Sequence, residues 1–141
     1  MERRDFFKGA AGIALAFGAM EAVAQDGGVG PETVYELRIY HLNEGKLPLI
    51  LNRFRTKETA IFARLGMHGV GYWTPTDEPL AGRTLVYMLR HKSREAATES
   101  WKRFSVDSEW VAVKAESEKD GVLVKQVESV YLDPTDYSPI K

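Results

Sequence analysis

The sequence predicts an α+β fold, in which one antiparallel sheet of four strands carries two helical regions on one face. Two kinds of pattern support this prediction. Four segments alternate apolar and polar side chains or are rich in β-branched and aromatic residues, and two segments repeat apolar side chains at helical spacing. The predicted strands are residues 34–40, 67–74, 83–91 and 122–132, and the predicted helical regions are residues 47–65 and 93–120.

The first predicted strand organises the rest of the chain. Its two faces differ in chemistry, with Tyr35, Leu37 and Ile39 on one side and Glu36, Arg38 and Tyr40 on the other. A strand with one face in water rarely needs a carboxylate, a guanidinium and a phenol in a row. We therefore expect helices behind the apolar face and an enclosed polar space in front of the second face.

The helical regions have recognisable ends. Pro48 fits only the first turn of a helix, and Gly66 is a typical residue after the last turn. In the second region we expect a break near residues 105–107, where Asp107 or Ser108 caps a restarted helix. Aromatic residues at helical spacing are usually core residues, and charged ones usually form a solvated face. On this basis Trp101, Phe104 and Trp110 are predicted in the core, and Arg53, Arg55, Lys57, Glu58 and Arg64 in water.

The element order β-α-β-β-α-β is that of the ferredoxin-like fold. Two helices then cover one face of the sheet and leave the other bare. The bare face is predicted to carry Tyr40, Trp73, Val86 and Met88. Because such a face is too apolar to remain in water, we expect a two-fold homodimer whose sheets face each other.

Composition excludes several functional classes. The 141 residues suffice for one domain with a substantial core, and the formal net charge of −1 does not suggest a nucleic-acid partner. The chain has no cysteine, which rules out disulfides, thiol nucleophiles and thiolate metal sites. It also has no glycine-rich phosphate-binding loop and no nucleophile elbow. No cofactor is expected.

The first 24 residues are predicted to be an export signal. A basic start, a short apolar middle and a small-residue exit are its three parts, and the adjacent arginines resemble the twin-arginine type. The residues that carry this prediction are Arg3, Arg4, Phe6, Lys8, Ala22 and Ala24. The apolar run is too short for a permanent membrane anchor. Residues 25–32 are expected to be a flexible leader, residues 33–141 the folded domain, and the periplasm the destination.

The candidate site consists of charged and aromatic residues that the strands direct into the predicted barrel. They are Glu36, Arg38, Tyr40, Trp73, Arg90 and Glu128, with Gln126 beside them. In a structural interpretation, Glu36, Arg38 and Glu128 form a charge network that holds the dimer in register. In a functional interpretation, Arg38 binds a carboxylate or enolate oxygen between apolar walls, and Glu36 or Glu128 serves as a general base.

The histidines do not suggest a metal site. The hairpin brings His68 and His91 close together, but two histidines without a third ligand bind metal weakly. His41 lies at the far end of the first strand. Surface or rim positions are expected for all three.

Segments in the order and spacing of the NIPSNAP family run through residues 33–141. They are residues 35–40, 45–46, 54–55, 66–67, 70–73, 101, 104, 107–110, 127–129 and 134–139. The chain therefore resembles a NIPSNAP protein. The resemblance implies a dimeric α+β barrel but no settled chemistry.

These observations predict an exported homodimer that uses its barrel interior as a small-molecule-binding or interaction module. The alternative is a cofactor-independent monooxygenase or isomerase-like enzyme acting on a small aromatic or carboxylate substrate. An open cavity that retains a ligand favours the first function, and turnover that depends on Arg38 and Glu128 favours the second.

Overall fold

The computed structural model describes residues 28–141. The predicted export signal, and residues 25–27 of the leader, lie outside the described residues. The elements are β1 (Val34–Leu42), α1 (Leu47–Arg53), a π-helical turn (Phe54–Glu58), α2 (Thr59–Arg64), β2 (His68–Trp73), β3 (Thr84–His91), α3 (Arg94–Val106), α4 (Ser108–Ser117) and β4 (Val124–Leu132).

The strands form one antiparallel sheet in the order β2-β3-β1-β4. β1 lies between β3 and β4, and the helices pack on one face. The ferredoxin-like fold predicted from the element order is therefore confirmed. None of the described helices has the length and hydrophobicity needed to cross a membrane.

The first helical region begins as predicted, with Pro48 in its first turn, but it is not one uninterrupted α-helix. Residues 54–58 form a wider π turn between α1 and α2, a feature that often occurs at functional sites. Gly66 follows the last turn with a φ of 83°, a conformation that suits glycine.

The second helical region breaks where predicted. The Ser93 hydroxyl caps α3 by accepting a 3.0 Å hydrogen bond from the Ala96 N–H. The Asp107 carboxylate caps α4 by accepting one from the Trp110 N–H, also at 3.0 Å. Each cap satisfies a backbone donor that the helix itself leaves without a partner.

The core lies between the sheet and the helices and is rich in aromatic rings. Tyr40 and Tyr87 meet edge to face with centroids 5.1 Å apart, and Phe54 meets Tyr87 at 5.2 Å. Phe104 stacks on Trp110 at 4.4 Å, so the predicted core position of the helical aromatic residues is confirmed for this pair. Edge-to-face and offset pairs add about 1 kcal/mol each to the stability gained from burial.

The predicted orientation of β1 was wrong. The helices cover its even-numbered side chains, and Tyr40 and Leu42 lie in the hydrophobic core. Tyr40 is therefore not on the bare face. Leu42 continues the even-numbered face with a fully apolar residue, and the charged groups at Glu36 and Arg38 find partners inside the protein.

The predicted solvated face of the first helical region was also partly wrong. Arg53 and Glu58 are buried, and Arg53 Nε donates a hydrogen bond of 2.8 Å to Glu58 Oε2. Glu58 lies four residues after Phe54 and three before Ile61, both of which belong to the core. Because Glu58 is a charged residue on the apolar stripe of the helix, the sequence already contained a signal that it is buried and paired.

Candidate functional site

Glu36 is the centre of a buried polar cluster between the sheet and α3. Its side chain is 1% exposed. Its Oε1 accepts hydrogen bonds from Arg38 Nη1 and Ser129 Oγ, both at 2.7 Å. Its Oε2 accepts one from Trp101 Nε1 at 2.8 Å and lies 2.7 Å from His91 Nε2. An ionised carboxylate only accepts hydrogen bonds, so His91 carries its ring hydrogen on Nε2.

This environment removes Glu36 from consideration as a general base. Burial raises the pKa of Glu36, but the hydrogen bonds from His91, Arg38, Trp101 and Ser129 outweigh burial and lower the pKa to about 2. Both oxygens are fully engaged. Glu36 is a fixed anion that orients its neighbours.

Arg38 connects this cluster to the tyrosines of the core. Its Nε donates a hydrogen bond of 2.9 Å to the Tyr87 hydroxyl, and its Cζ lies 4.1 Å from the Trp101 ring centroid. Burial lowers the pKa of Arg38, but the neighbouring Tyr87 and Tyr40 hydroxyls and the hydrogen bond to the Glu36 carboxylate outweigh burial and raise it. Its hydrogen bonds hold Arg38 on the side of the sheet that the helices cover, away from the open face.

Glu58 forms a second buried acidic group, beside the same tyrosines. Burial raises its pKa to about 7, although Arg53 and Arg38 oppose that change. Its Oε2 binds Arg53, whereas its Oε1 is buried without a hydrogen-bond partner. A carboxyl group that titrates near neutral pH is a frequent feature of functional sites. The predicted solvent-exposed position of Glu58 was therefore wrong.

The structure divides the predicted site between the two faces of the sheet. Glu36, Arg38 and Tyr40 lie on the face covered by the helices, whereas Trp73, Arg90 and Glu128 lie on the open face. Strand register establishes this division, since Tyr35 pairs with Arg90, Ile39 pairs with Glu128, and Val86 pairs with Trp73. Gln126, opposite His41, is also on the open face. The prediction of one continuous site was therefore wrong.

The open face is mainly apolar. Its half-buried members include Leu37, Ile39, Val86 and Met88 in the two central strands. Trp73 is 53% exposed, Val130 50% and Leu132 36%. The sequence predicted Trp73, Val86 and Met88 on this face, and the strand register confirms that placement.

Two hollows lie where the C-terminal segment folds back onto the open face. The Tyr35 hydroxyl donates a hydrogen bond to the Lys141 carbonyl, which fixes this segment. The first hollow has a volume of about 320 Å³ and a largely apolar wall that includes Tyr35, Met88 and Leu132. The second has a volume of about 360 Å³ and includes His68 and Arg90.

The histidines occupy different environments. His91 is 1% exposed, so the expected rim position was wrong for this residue. His68 pairs with Arg90 on the open face, on the other side of the sheet from His91. His41 Nε2 lies 3.4 Å from Glu128 Oε2. Within residues 28–141, no group of three or more histidine or acidic side chains is arranged to hold a metal ion.

Solved structures with this fold come from several bacteria. A NIPSNAP family protein from Agrobacterium tumefaciens is 27% identical, with a TM-score of 0.67, and the alignment covers 77% of this chain and 99% of that one. An uncharacterized NIPSNAP-like domain protein from Burkholderia xenovorans is 19% identical, with a TM-score of 0.66 and coverage of 77% and 90%. A cofactor-independent oxygenase from Streptomyces nogalater shares the fold at 12% identity and a TM-score of 0.52, with coverage of 77% and 98%.

A search of curated proteins found no match. The profile of the NIPSNAP family, however, matches residues 35–139, which include all of the sheet from Tyr35 onward and all of the helices. The order of segments that suggested the family is thus part of a match over most of the chain, and the protein belongs to the NIPSNAP family.

Proposed function

We propose that this NIPSNAP protein is an exported homodimer that binds a small, largely apolar molecule between its two facing sheets. The observation that carries the proposal is the open face. Leu37, Val86 and Met88 line its centre, and Trp73 and Val130 remain about half exposed at its edges. An apolar surface of this extent is typical of an interface or a ligand site.

The hollows beside the C-terminal segment support a binding function. Their volumes of about 320 and 360 Å³ lie within the range of small-molecule sites. Met88 and Leu132 offer an apolar wall, and His68 and Arg90 supply polar groups at one end. This combination suits a small apolar molecule with one polar end.

The export part of the proposal is based on the sequence. Arg3 and Arg4 followed by a short apolar run are typical of a twin-arginine signal, which delivers folded proteins to the periplasm. Its test is fractionation of cells that express the full chain. A Lys pair in place of Arg3 and Arg4 should leave the protein in the cytoplasm, and unchanged export would refute this part.

The dimer is tested on residues 25–141. We expect a mass of two chains by light scattering at 10 μM, and one chain for Met88→Glu, because a carboxylate at the centre of the interface would be buried without a partner. Val106→Glu is the matched control, since Val106 is 77% exposed at the end of α3. A monomeric parent protein, or a dimeric Met88→Glu variant with native circular dichroism, contradicts the proposal.

Ligand binding is tested with N-phenyl-1-naphthylamine, an uncharged apolar dye. Saturable fluorescence enhancement with the parent dimer and its loss in Met88→Glu are expected. Native mass spectrometry of the purified protein then reports any ligand that remains bound. Equal dye binding by the parent and the variant would place the dye elsewhere and refute a chamber between the sheets.

The catalytic alternative retains one of its two candidate bases. Glu36 is excluded by its four hydrogen bonds, whereas Glu128 is half exposed on the open face beside His41. An enzyme is favoured if the protein turns over small quinones or aromatic carboxylates, and if this turnover is lost in Glu128→Gln but retained in Glu99→Gln. Equal turnover by both variants eliminates Glu128 as the base.

A further inference from the structure

A separate cleft lies on the helical layer, away from the open face of the sheet. It is enclosed by α1, the π turn and α4 and has a volume of about 450 Å³. Leu49, Ala112 and Val113 provide apolar wall, and Lys57 and Lys119 are exposed at its edge. α4 has no fully buried residue, so much of its surface, including Ala112, is exposed beside the cleft.

A buried guanidinium forms part of the cleft wall. The Arg53 side chain is 4% exposed, and its Cζ lies 4.8 Å from the Trp110 ring centroid. Its Nε donates to Glu58, and its Nη1 donates to Ser117 Oγ at 3.3 Å and lies 3.7 Å from Glu118 Oε1. Its Nη2 makes no hydrogen bond with any described residue. The guanidinium therefore keeps donor capacity at the edge of an open volume.

Two carboxyl groups, Glu58 and Glu118, share the positive charge of Arg53. Burial raises the pKa of Glu58 to about 7, so this carboxyl group is protonated in a large fraction of molecules at neutral pH. Glu118 Oε1 lies 3.7 Å from Arg53 Nη1, an ion-pair distance that is too long for a hydrogen bond, so Glu118 offsets positive charge without occupying a donor. Arg53 remains charged at any physiological pH, and the N–H groups of its Nη2 can therefore bind an incoming anion at the cleft.

We propose that this cleft binds a small organic carboxylate with an unbranched apolar body, and that Arg53 holds the carboxylate while the wall of α1 and α4 holds the chain. Arg53 is suited to the head group because its Nη2 still has N–H donors, and a hydrogen bond from a guanidinium to a carboxylate is strong. Leu49 is 43% exposed and would lose contact with water when the chain binds.

The remaining charges of the cleft are compatible with an anion. Glu116 is already paired with Lys119 at 2.8 Å, and the other lining charges, Lys57 and Asp120, are of opposite sign, so the exposed edge carries no net negative charge. The apolar wall distinguishes the expected ligand from inorganic phosphate or sulfate, which would gain nothing from it. Each additional methylene in contact should tighten binding about three- to fourfold.

Binding should take up protons near neutral pH. A ligand carboxylate shares Arg53 with Glu58 and so raises the pKa of Glu58 further. The groups that face Glu58 are Arg53, Glu118, Arg38 and the hydroxyls of Tyr40, Tyr72 and Tyr87. None of these groups ordinarily titrates between pH 6 and 8. Affinity should therefore rise from pH 8 to pH 6 while the ligand stays ionised.

The proposal is tested by calorimetric titration of residues 25–141 with octanoate at pH 6, 7 and 8. Octanamide, with the same chain and no charge, should bind at least tenfold more weakly, and butyrate should also bind weakly. Titration in two buffers of different ionisation enthalpy should show proton uptake at pH 7. Octanoate that does not bind at pH 6, or octanamide that binds equally well, refutes the proposal.

Variants locate the site. Glu58→Gln retains Arg53 but removes the competing charge, so it should bind octanoate at least as tightly as the parent and with no dependence on pH. Arg53→Gln combined with Glu58→Gln should remove binding without leaving an unpaired buried charge. Ala112→Trp should block the cleft, whereas Ala115→Trp, on the same helix outside the cleft, should not. Equal octanoate binding by the two tryptophan variants places the ligand elsewhere and overturns the assignment.

Dimerisation is independent of this cleft. Met88→Glu should retain octanoate binding while it loses the dimer and the apolar dye. Loss of octanoate binding in a folded Met88→Glu variant would instead place that ligand between the sheets, and so overturn the proposed cleft site.

Discussion

Replacing Glu36 by Gln should lower the free energy of unfolding by about 3–5 kcal/mol at pH 7. Two independent arguments give this magnitude. The pKa of Glu36 falls from its ordinary 4.5 to about 2 in the folded protein, and 2.5 pKa units correspond to about 3 kcal/mol. Breaking a buried ion pair by removing one charge typically costs about 3–5 kcal/mol, because the partner remains buried and unpaired. That partner is Arg38, whose side chain is 14% exposed.

The geometry explains why an amide cannot substitute for the carboxylate. Each oxygen of Glu36 faces two donors, and a Gln side chain has one oxygen and one NH₂ group. Whichever way the amide turns, either Arg38 or Trp101 loses its acceptor and faces another donor, whereas the Ser129 hydroxyl or a neutral His91 ring can rearrange to accept. The melting temperature should fall by roughly 10–20 °C for a domain of this size.

The pH dependence supplies a second readout for Glu36. Its folded pKa is depressed, so its stabilisation is present above about pH 4.5 and is lost as the pH falls toward about 2. Guanidinium unfolding curves, followed by tryptophan fluorescence at pH 7 and pH 3, should therefore partly converge for the parent and the Gln variant at pH 3, where about 1.4 kcal/mol of this stabilisation remains. Glu99→Gln on the exposed face of α3 is the control. A loss below 1 kcal/mol at pH 7, or no convergence, would show that the cluster does not stabilise the fold as described.

Two further predictions concern the helical layer. The folded pKa of Glu58 is raised from 4.5 to about 7, so its contribution to stability is present below pH 4.5 and is lost as the pH rises through 7, by up to about 3 kcal/mol. Urea unfolding at pH 5 and pH 7.5 should show this loss in the parent but not in Glu58→Gln. An equal change in the free energy of unfolding between the two pH values in both proteins would contradict the assignment. Ser93→Ala should cost about 1 kcal/mol through loss of the α3 cap; Ser105→Ala, within the same helix, should cost less, and equal losses would mean that the cap contributes nothing.

The sequence was sufficient for the fold because its elements are defined by local patterns. Alternation identified β1 and β3, and Pro48, Gly66 and Asp107 marked helix boundaries through backbone chemistry that involves only near neighbours. The order of the elements then left one simple sheet topology. The π turn was not predictable in this way, because it leaves the apolar spacing of the helix almost unchanged.

The orientation of β1 could not be predicted from local pattern alone. Its two faces are both partly hydrophobic, so the choice depends on whether Glu36 finds partners in the folded protein. Those partners are His91, Trp101 and Ser129, which lie 55, 65 and 93 residues away in sequence. Without knowledge of these contacts, a carboxylate and a guanidinium are correctly expected on the less buried face.

The buried pair in the helical layer was missed for a different reason. Arg53 and Glu58 were judged by residue type, whereas the position of Glu58 on the apolar stripe already indicated burial. Their five-residue separation also spans the π turn. The position of a residue on the helix therefore indicated its burial more reliably than whether its side chain is charged.

Several charged side chains of this chain are buried, while much of the apolar surface of its sheet is not covered by the helices. Glu36, Arg38, Arg53 and Glu58 lie between the sheet and the helices, while much of the apolar surface of the sheet faces outward. The interior charges are paired within the chain, Glu36 with Arg38 and Glu58 with Arg53. The open face, by contrast, has no such compensation within the part of the chain that the structure describes, apart from the C-terminal segment over Tyr35. We therefore expect the proposed association and ligand binding at that face to depend on its apolar residues, with the charged cluster contributing only by holding β1 in place.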